Sequence, residues 1–145
     1  MFKLQLLKKH ILKVLVTVFF LFNILLLKSQ NLVPNPSFEE CYSMPTHFLL
    51  INNIHKIIKR WNCPVSATPD YFNSRAYRTV SVPNNFIGSQ EAKTGNAYVG
   101  LILMYANGSE YLQARLKSPL KKDSIYCLSL YISLAEKSSH FVDQV

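Results

Sequence analysis

Apolar and polar positions follow three rhythms along this chain, and each predicts a different element. The first is a block. Residues 14–27, VLVTVFFLFNILLL, are apolar except at Thr17 and Asn23, which predicts a helix about 21 Å long at 1.5 Å per residue. The second is a three- and four-residue spacing. Ile51, Ile54, Ile58 and Trp61 recur with Asn, His and Lys between them, predicting a short amphipathic helix near 48–59. The third is alternation. In SIYCLSLYISLAE, Tyr126, Leu128, Leu130, Ile132 and Leu134 share one face, and Ile125, Cys127, Ser129, Tyr131 and Ser133 the other, the signature of a half-buried strand.

Two more β-rich runs flank Asn107-Gly108 within residues 95–120. Asn-Gly between apolar runs predicts a hairpin, because both turn positions need positive φ. Asn107-Gly108-Ser109 also fits a glycosylation acceptor, but the turn accounts for it. From 31 to 93 the chain is irregular, holding six of the seven prolines (Pro34, Pro36, Pro45, Pro64, Pro69 and Pro83). Strands of this kind need a second layer to cover their apolar face, which points to an all-β sandwich of one domain. NLVPNPSFEE, residues 31–40, is expected to be its first strand.

Charge changes how the ends are read. Residues 1–13 carry four lysines and no acid, and Lys28-Ser29-Gln30 follow the apolar block. A basic head, a short apolar core and a small residue at the exit have the anatomy of a secretory signal peptide over 1–29. The core is short of the ~20 residues that span a bilayer, and a retained anchor is the alternative. The mature chain would then begin at Gln30 or Asn31 and be exported to the periplasm, outer membrane or exterior. Membrane contact would come only through an uncleaved signal segment. Removing Lys3, Lys8, Lys9, Lys13 and Lys28 leaves eleven basic against eight acidic residues, a net +3 rather than the formal +8. The basicity belongs to the address, so nucleic acid is not an expected partner.

Three cysteines remain, Cys41, Cys63 and Cys127. Cys41 and Cys63 sit in loop-like sequence and are the expected disulfide, closing a loop worth roughly 3 kcal/mol in an oxidising compartment. Three buried thiols are the alternative. For catalysis, His47, His55 and His140 stand outside any recognisable motif, and Asp70 with Glu110 is a pairing that any set of eight acids allows. No catalytic residues are assigned, and the chain is not expected to be an enzyme. Binding is better motivated. Trp61, Tyr71, Phe72 and Tyr77 are interleaved with Asp70, Asn73, Arg75 and Arg78, and an aromatic platform with a polar rim suits the apolar faces and hydroxyl edges of a sugar. Trp61, Asp70, Tyr71 and Arg75 are the candidate ligand residues. A core role for Trp61 and Tyr71 is the alternative.

Several segments in this order carry a resemblance: NLVPNPSFEE (31–40), Trp61, TPDYFN (68–73), VPNNFIGSQ (82–90), TGNAYVGL (94–101), EYLQARLKSPL (110–120) and YCLSLYISLAEKSS (126–139). Together they resemble the N-terminal region of secreted and outer-membrane proteins of gram-negative bacteria. Some of these carry a C-terminal peptidoglycan-binding domain of the outer-membrane-protein-A type. The resemblance implies a galactose-binding-like jelly roll, the fold of many carbohydrate-binding modules. It also implies a structural calcium with Glu39 as the matching ligand, and closing strands beyond Val145. The expected function is a non-catalytic exported module that binds a polysaccharide, a cell-surface glycan or another surface partner. A structural spacer in a larger envelope protein, or a nonfunctional remnant of one, are the alternatives.

Overall fold

The structure, a computed structural model, describes residues 10–18, 30–48, 54–104 and 108–138. The chain divides into two units, Met1–Asn31 and Leu32–Val145. In the first, residues 10–18 form a helix (α1) with exposed side chains, and the Thr17 hydroxyl donates to the Lys13 carbonyl at 3.0 Å. Residues 1–9 and 19–29, which hold most of the expected signal peptide and its cleavage site, lie outside the described residues. Among the described residues no helix is long and apolar enough to cross a membrane.

The second unit is β-rich, built from short antiparallel strands with little helix. Its elements in order are α2 (Ile54–Ile57), β1 (Trp61–Asn62), β2 (Asp70–Asn73), a 3-10 turn at Arg78–Val80, β3 (Asn84–Asn85), β4 (Gly88–Ser89), β5 (Ala97–Gly100), β6 (Leu103–Met104), β7 (Gly108–Ser109) and β8 (Gln113–Ala114). They pair two by two: β1 with β8, β2 with β5, β3 with β4 and β6 with β7.

The β2–β5 ribbon organises the core. Its register sets Tyr71 opposite Val99 and Phe72 opposite Tyr98. Successive strand residues point to opposite faces, so the ribbon separates two apolar clusters. On one side Tyr71 and Ala97 pack with Ile54, Ile57 and Ile58, joined by Phe38, Cys41, Trp61, Cys63, Val99 and Leu112. On the other, Phe72 packs with Val80 and Val82, joined by Ala76, Phe86, Ile87, Ala92 and Tyr98. All four β2 residues are buried, the polar Asp70 and Asn73 along with Tyr71 and Phe72, as a strand covered on both faces requires.

The three- and four-residue spacing marked the right face. Ile54 and Ile58 are both buried, while His55 and Lys56 are exposed. Ile57 is buried too, and Ile51 lies outside the described residues. The helix is one turn long and Phe48 is not part of it. Where Asn107-Gly108 predicts a hairpin, an antiparallel pair is present as β6–β7, with Leu103 opposite Ser109 and Met104 opposite Gly108, so Gly108 lies on a strand and not in the turn; residues 105–107 lie outside the described residues. It is short, because Gln113–Ala114 pairs with Trp61–Asn62 instead of continuing the hairpin.

Two expectations need correction. NLVPNPSFEE forms no strand. It runs through bends and a turn, with Asn35 at φ 44° and Phe38 at φ 60°, conformations incompatible with a strand. The first ladder contact comes just after it, a single bridge from Cys41 to Ile58. The alternating run 125–134 is not a strand either. It pairs with no described segment and its side chains are exposed. Alternation makes a strand favourable only when a neighbour supplies hydrogen bonds and a face to cover.

Candidate functional site

The residues expected to form a sugar platform lie mostly inside. Tyr71 is 2% exposed and Asp70 5%. Trp61 is half-buried, tilted against Phe38 with ring centroids 5.1 Å apart, and its indole N–H donates to the Asn35 carbonyl at 2.9 Å. Only Arg75 is at the surface, its backbone N–H held by Asn73 Oδ1 at 2.9 Å. Of the four candidate ligand residues, Asp70 and Tyr71 are thus buried, Trp61 is half-buried and Arg75 is exposed. A ring in the core anchors strands and cannot stack on a ligand.

The polar groups that enter the core with these rings are used to hold it. The Tyr71 hydroxyl donates to the Phe38 carbonyl at 2.9 Å and receives the Asn73 amide at 2.8 Å. Glu110, 7% exposed, accepts the Thr68 N–H (2.9 Å) and hydroxyl (2.7 Å) on Oε1. Its Oε2 accepts the Ile102 N–H at 2.7 Å. Thr68 precedes β2 and Ile102 follows β5, so this carboxylate clamps one end of the central ribbon. A buried carboxyl group that accepts three hydrogen bonds serves as an anchor.

Burial pushes the Tyr71 hydroxyl up from 10.0 to about 12, with the Asn73 donor working against it and Cys41 and Glu39 adding to it. Burial raises Tyr98 in the same direction. A phenol whose folded value is raised keeps its proton while the unfolded chain loses it. The native state then binds more protons, and stability falls as pH rises from 10 towards 12. For Tyr71 the loss is roughly 2–3 kcal/mol across that window. Urea midpoints measured from neutral pH to pH 11 are expected to drop steeply above pH 10. Tyr71→Phe should be less stable at neutral pH and should show a shallower drop. A slope unchanged in Tyr71→Phe would assign the effect elsewhere.

Glu39 is bound to the loop that leads into β5. Oε1 accepts the Asn96 backbone N–H at 2.6 Å, and Oε2 the Asn96 side-chain amide at 3.2 Å. Gly95 turns the chain at φ +69°, and a Cβ there would collide with the Glu39 carboxylate. Glu39 thus fastens the loop before β5. Calcium takes six to eight oxygens. Around Glu39 both carboxylate oxygens already face N–H donors, and among the described residues no group of three or more His, Cys, Asp or Glu gathers for a metal.

Cys41, Cys63 and Cys127 are all free thiols. Cys41 and Cys63 flank the same cluster, and the Cys63 thiol donates to the Val65 carbonyl at 3.3 Å. Cys127 is exposed, not buried in a strand. His47 and His55 are exposed, and His47 contacts the Thr46 hydroxyl at 2.7 Å. His140 lies outside the described residues.

The surface offers a different recess, about 250 Å³, lined by Arg78, Thr79, Asn84, Asn85 and Phe86. Its base is rigid. The Phe86 N–H donates to the Thr79 carbonyl at 3.0 Å, and the Asn85 amide reaches Ser81 O, Pro83 O and Tyr98 Oη at 3.3, 3.2 and 2.6 Å. Asn85 Oδ1 accepts the Ile87 N–H at 3.1 Å. Thr79 and Asn84 are exposed on the rim. Arg78 holds its guanidinium 4.7 Å over the ring of Tyr77, which is 70% exposed. Tyr77 and Arg78 belong to the aromatic-rich stretch singled out in the sequence. Thr79 and Asn84 were not singled out there: they lie five positions apart, where a 3-10 turn runs into a hairpin, and such irregular backbone leaves no periodic signal. Comparison with protein-family models, with curated proteins and with solved structures gives no match.

Proposed function

We propose that this chain is an exported, non-catalytic module of the jelly-roll, galactose-binding-like kind that contacts a glycan at the cell envelope. The observation that supports this reading is the recess beside Tyr77. An exposed ring capped by a guanidinium stands next to a small cavity whose rim is amide and hydroxyl. A sugar presents an apolar C–H face to such a ring and hydroxyls to such a rim. The cavity is at the small end of ligand sites, so it suits one sugar unit of a longer chain. Export rests on the basic head and apolar block of residues 1–29. The outer-membrane setting rests on the ordered segments that resemble the envelope proteins.

A glycan array probed with the purified protein tests this directly. Retention is expected on a subset of polysaccharides, with Tyr77→Ala weakening it about tenfold and leaving the melting temperature unchanged, since the ring is exposed. Retention that survives both Tyr77→Ala and Asn84→Ala would move the site elsewhere. No retention on any glycan would favour a spacer.

A further inference from the structure

One run of the chain has the pattern of a strand and none of the pairing. From Ser124 to Ala135 there is no helix, turn, bend or ladder. Among the described residues, no backbone hydrogen bond joins 124–134 to another segment. Its apolar side chains are in water, Ile125 fully, Leu128 at 81%, Ile132 at 73% and Leu130 at 62%. The run is fixed at both ends. The Lys121 N–H donates to the Tyr126 hydroxyl at 2.7 Å. Glu136 Oε2 accepts the Ser89 N–H at 2.9 Å, and the Lys137 N–H donates to the Ile87 carbonyl at 3.1 Å. On its mixed face the Ser133 hydroxyl also donates to Gln90 Oε1 at 2.6 Å and Lys93 Nζ lies 4.5 Å over the Tyr131 ring. A run tethered in this way, with no backbone ladder and with its apolar row in water, is a template for another strand.

We propose that the strand it takes is the same segment of a second copy, paired antiparallel about Leu130. This goes beyond the glycan reading and does not depend on it. The register follows from the pattern. With Leu130 opposite itself, Tyr126 meets Leu134 and Leu128 meets Ile132, so all five apolar residues of one face are opposed by apolar residues. Sliding by two positions sets Leu134 against Ser124, or Tyr126 against Glu136. Sliding by one sets the apolar row against the mixed row of Ile125, Cys127, Ser129, Tyr131 and Ser133. Charge favours the same arrangement. It brings Asp123 of each copy to Lys137 of the other, and the Lys121-Lys122 end towards Glu136. A parallel pair would instead stack the lysines on their own copies. Opposed unlike charges and apolar cross-strand pairs both stabilise such a ladder.

Cysteine cross-linking of the full-length protein, in a Cys127→Ser background, tests the register. Leu130→Cys is expected to give a 130–130 disulfide dimer on mild oxidation, identified by peptide mass. Leu128→Cys, which would face Ile132, should cross-link at least tenfold less. Sedimentation velocity of the unmodified protein should show a monomer–dimer equilibrium that Leu130→Lys shifts to monomer. Because Leu130 is exposed, that variant should keep the wild-type circular dichroism spectrum. A monomer up to about 0.5 mM, 128–128 links as abundant as 130–130 links, or oligomers that persist in Leu130→Lys would each overturn the proposal.

Discussion

Phe72→Ala is expected to destabilise the Leu32–Val145 unit by about 3–5 kcal/mol, a large part of the 5–15 kcal/mol that holds a typical domain together. Phe72 is 0% exposed and is the largest fully buried side chain among the described residues. Its ring stacks against Tyr98 at 5.0 Å and Phe86 at 5.9 Å, and Phe86 in turn stacks on Phe48 at 4.2 Å. Alanine removes one of the two inner rings of this series. The surrounding groups cannot close on the space, because β5 fixes Tyr98 in register opposite and Asn85 holds the Tyr98 hydroxyl at 2.6 Å. Transfer and cavity terms therefore both count. Phe72→Leu keeps most of the volume and should cost under about 1.5 kcal/mol. Urea unfolding of the two variants checks this. A Phe72→Ala loss below about 1 kcal/mol would mean that the second cluster contributes little to folding.

What was legible in the sequence, and what was not, divides along a physical line. Tyr71 and Phe72 are adjacent, and strand geometry alone dictates that they face opposite ways; the structure sends one into each cluster. Ile54 and Ile58 were legible because helical spacing is a local property. The β1–β8 pairing was not, since Trp61 and Ala114 are brought together by packing over more than fifty residues and no periodicity records it. The alternation of 125–134 reads clearly as a strand, yet alternation reports what a segment can pair with, not that a partner is present. The burial of Trp61 and Tyr71 was hard to read for a related reason. Composition marks Trp61 and Tyr71 as rings among polar neighbours, but whether a ring lies on the surface depends on what covers it. Phe38, Ile54, Ile57 and Ile58 come from elsewhere to do so. Tyr77, six positions on, escapes because it lies just past the ribbon at the start of the 3-10 turn.

Asn35→Ala is expected to cost about 3 kcal/mol, although Asn35 lies in a loop. The residue is 7% exposed. Its amide donates to the Glu40 and Lys59 carbonyls at 2.9 and 3.0 Å, and its Oδ1 accepts the Glu40 N–H at 2.9 Å. Alanine removes three hydrogen bonds worth roughly 0.5–1.5 kcal/mol each. It also places a residue without a short polar side chain at φ 44°, at about 1 kcal/mol more. Asn35→Gly separates the two effects, since glycine accepts that backbone freely and should recover the second part alone. The readout is internal. Trp61 is the only tryptophan, and its indole N–H bonds the Asn35 carbonyl, so release of this loop should shift Trp61 emission to the red. If alanine and glycine both cost under about 1 kcal/mol with emission unchanged, the loop is not fastened through Asn35. Combining Asn35→Ala with Phe72→Leu then asks whether the ribbon insulates the two clusters. Asn35 acts through Trp61 and Lys59 beside the first, Phe72 within the second, and sites without shared partners add to within about 0.5 kcal/mol. A larger deviation would mean that Tyr71 and Phe72, as neighbours on β2, pass strain from one cluster to the other.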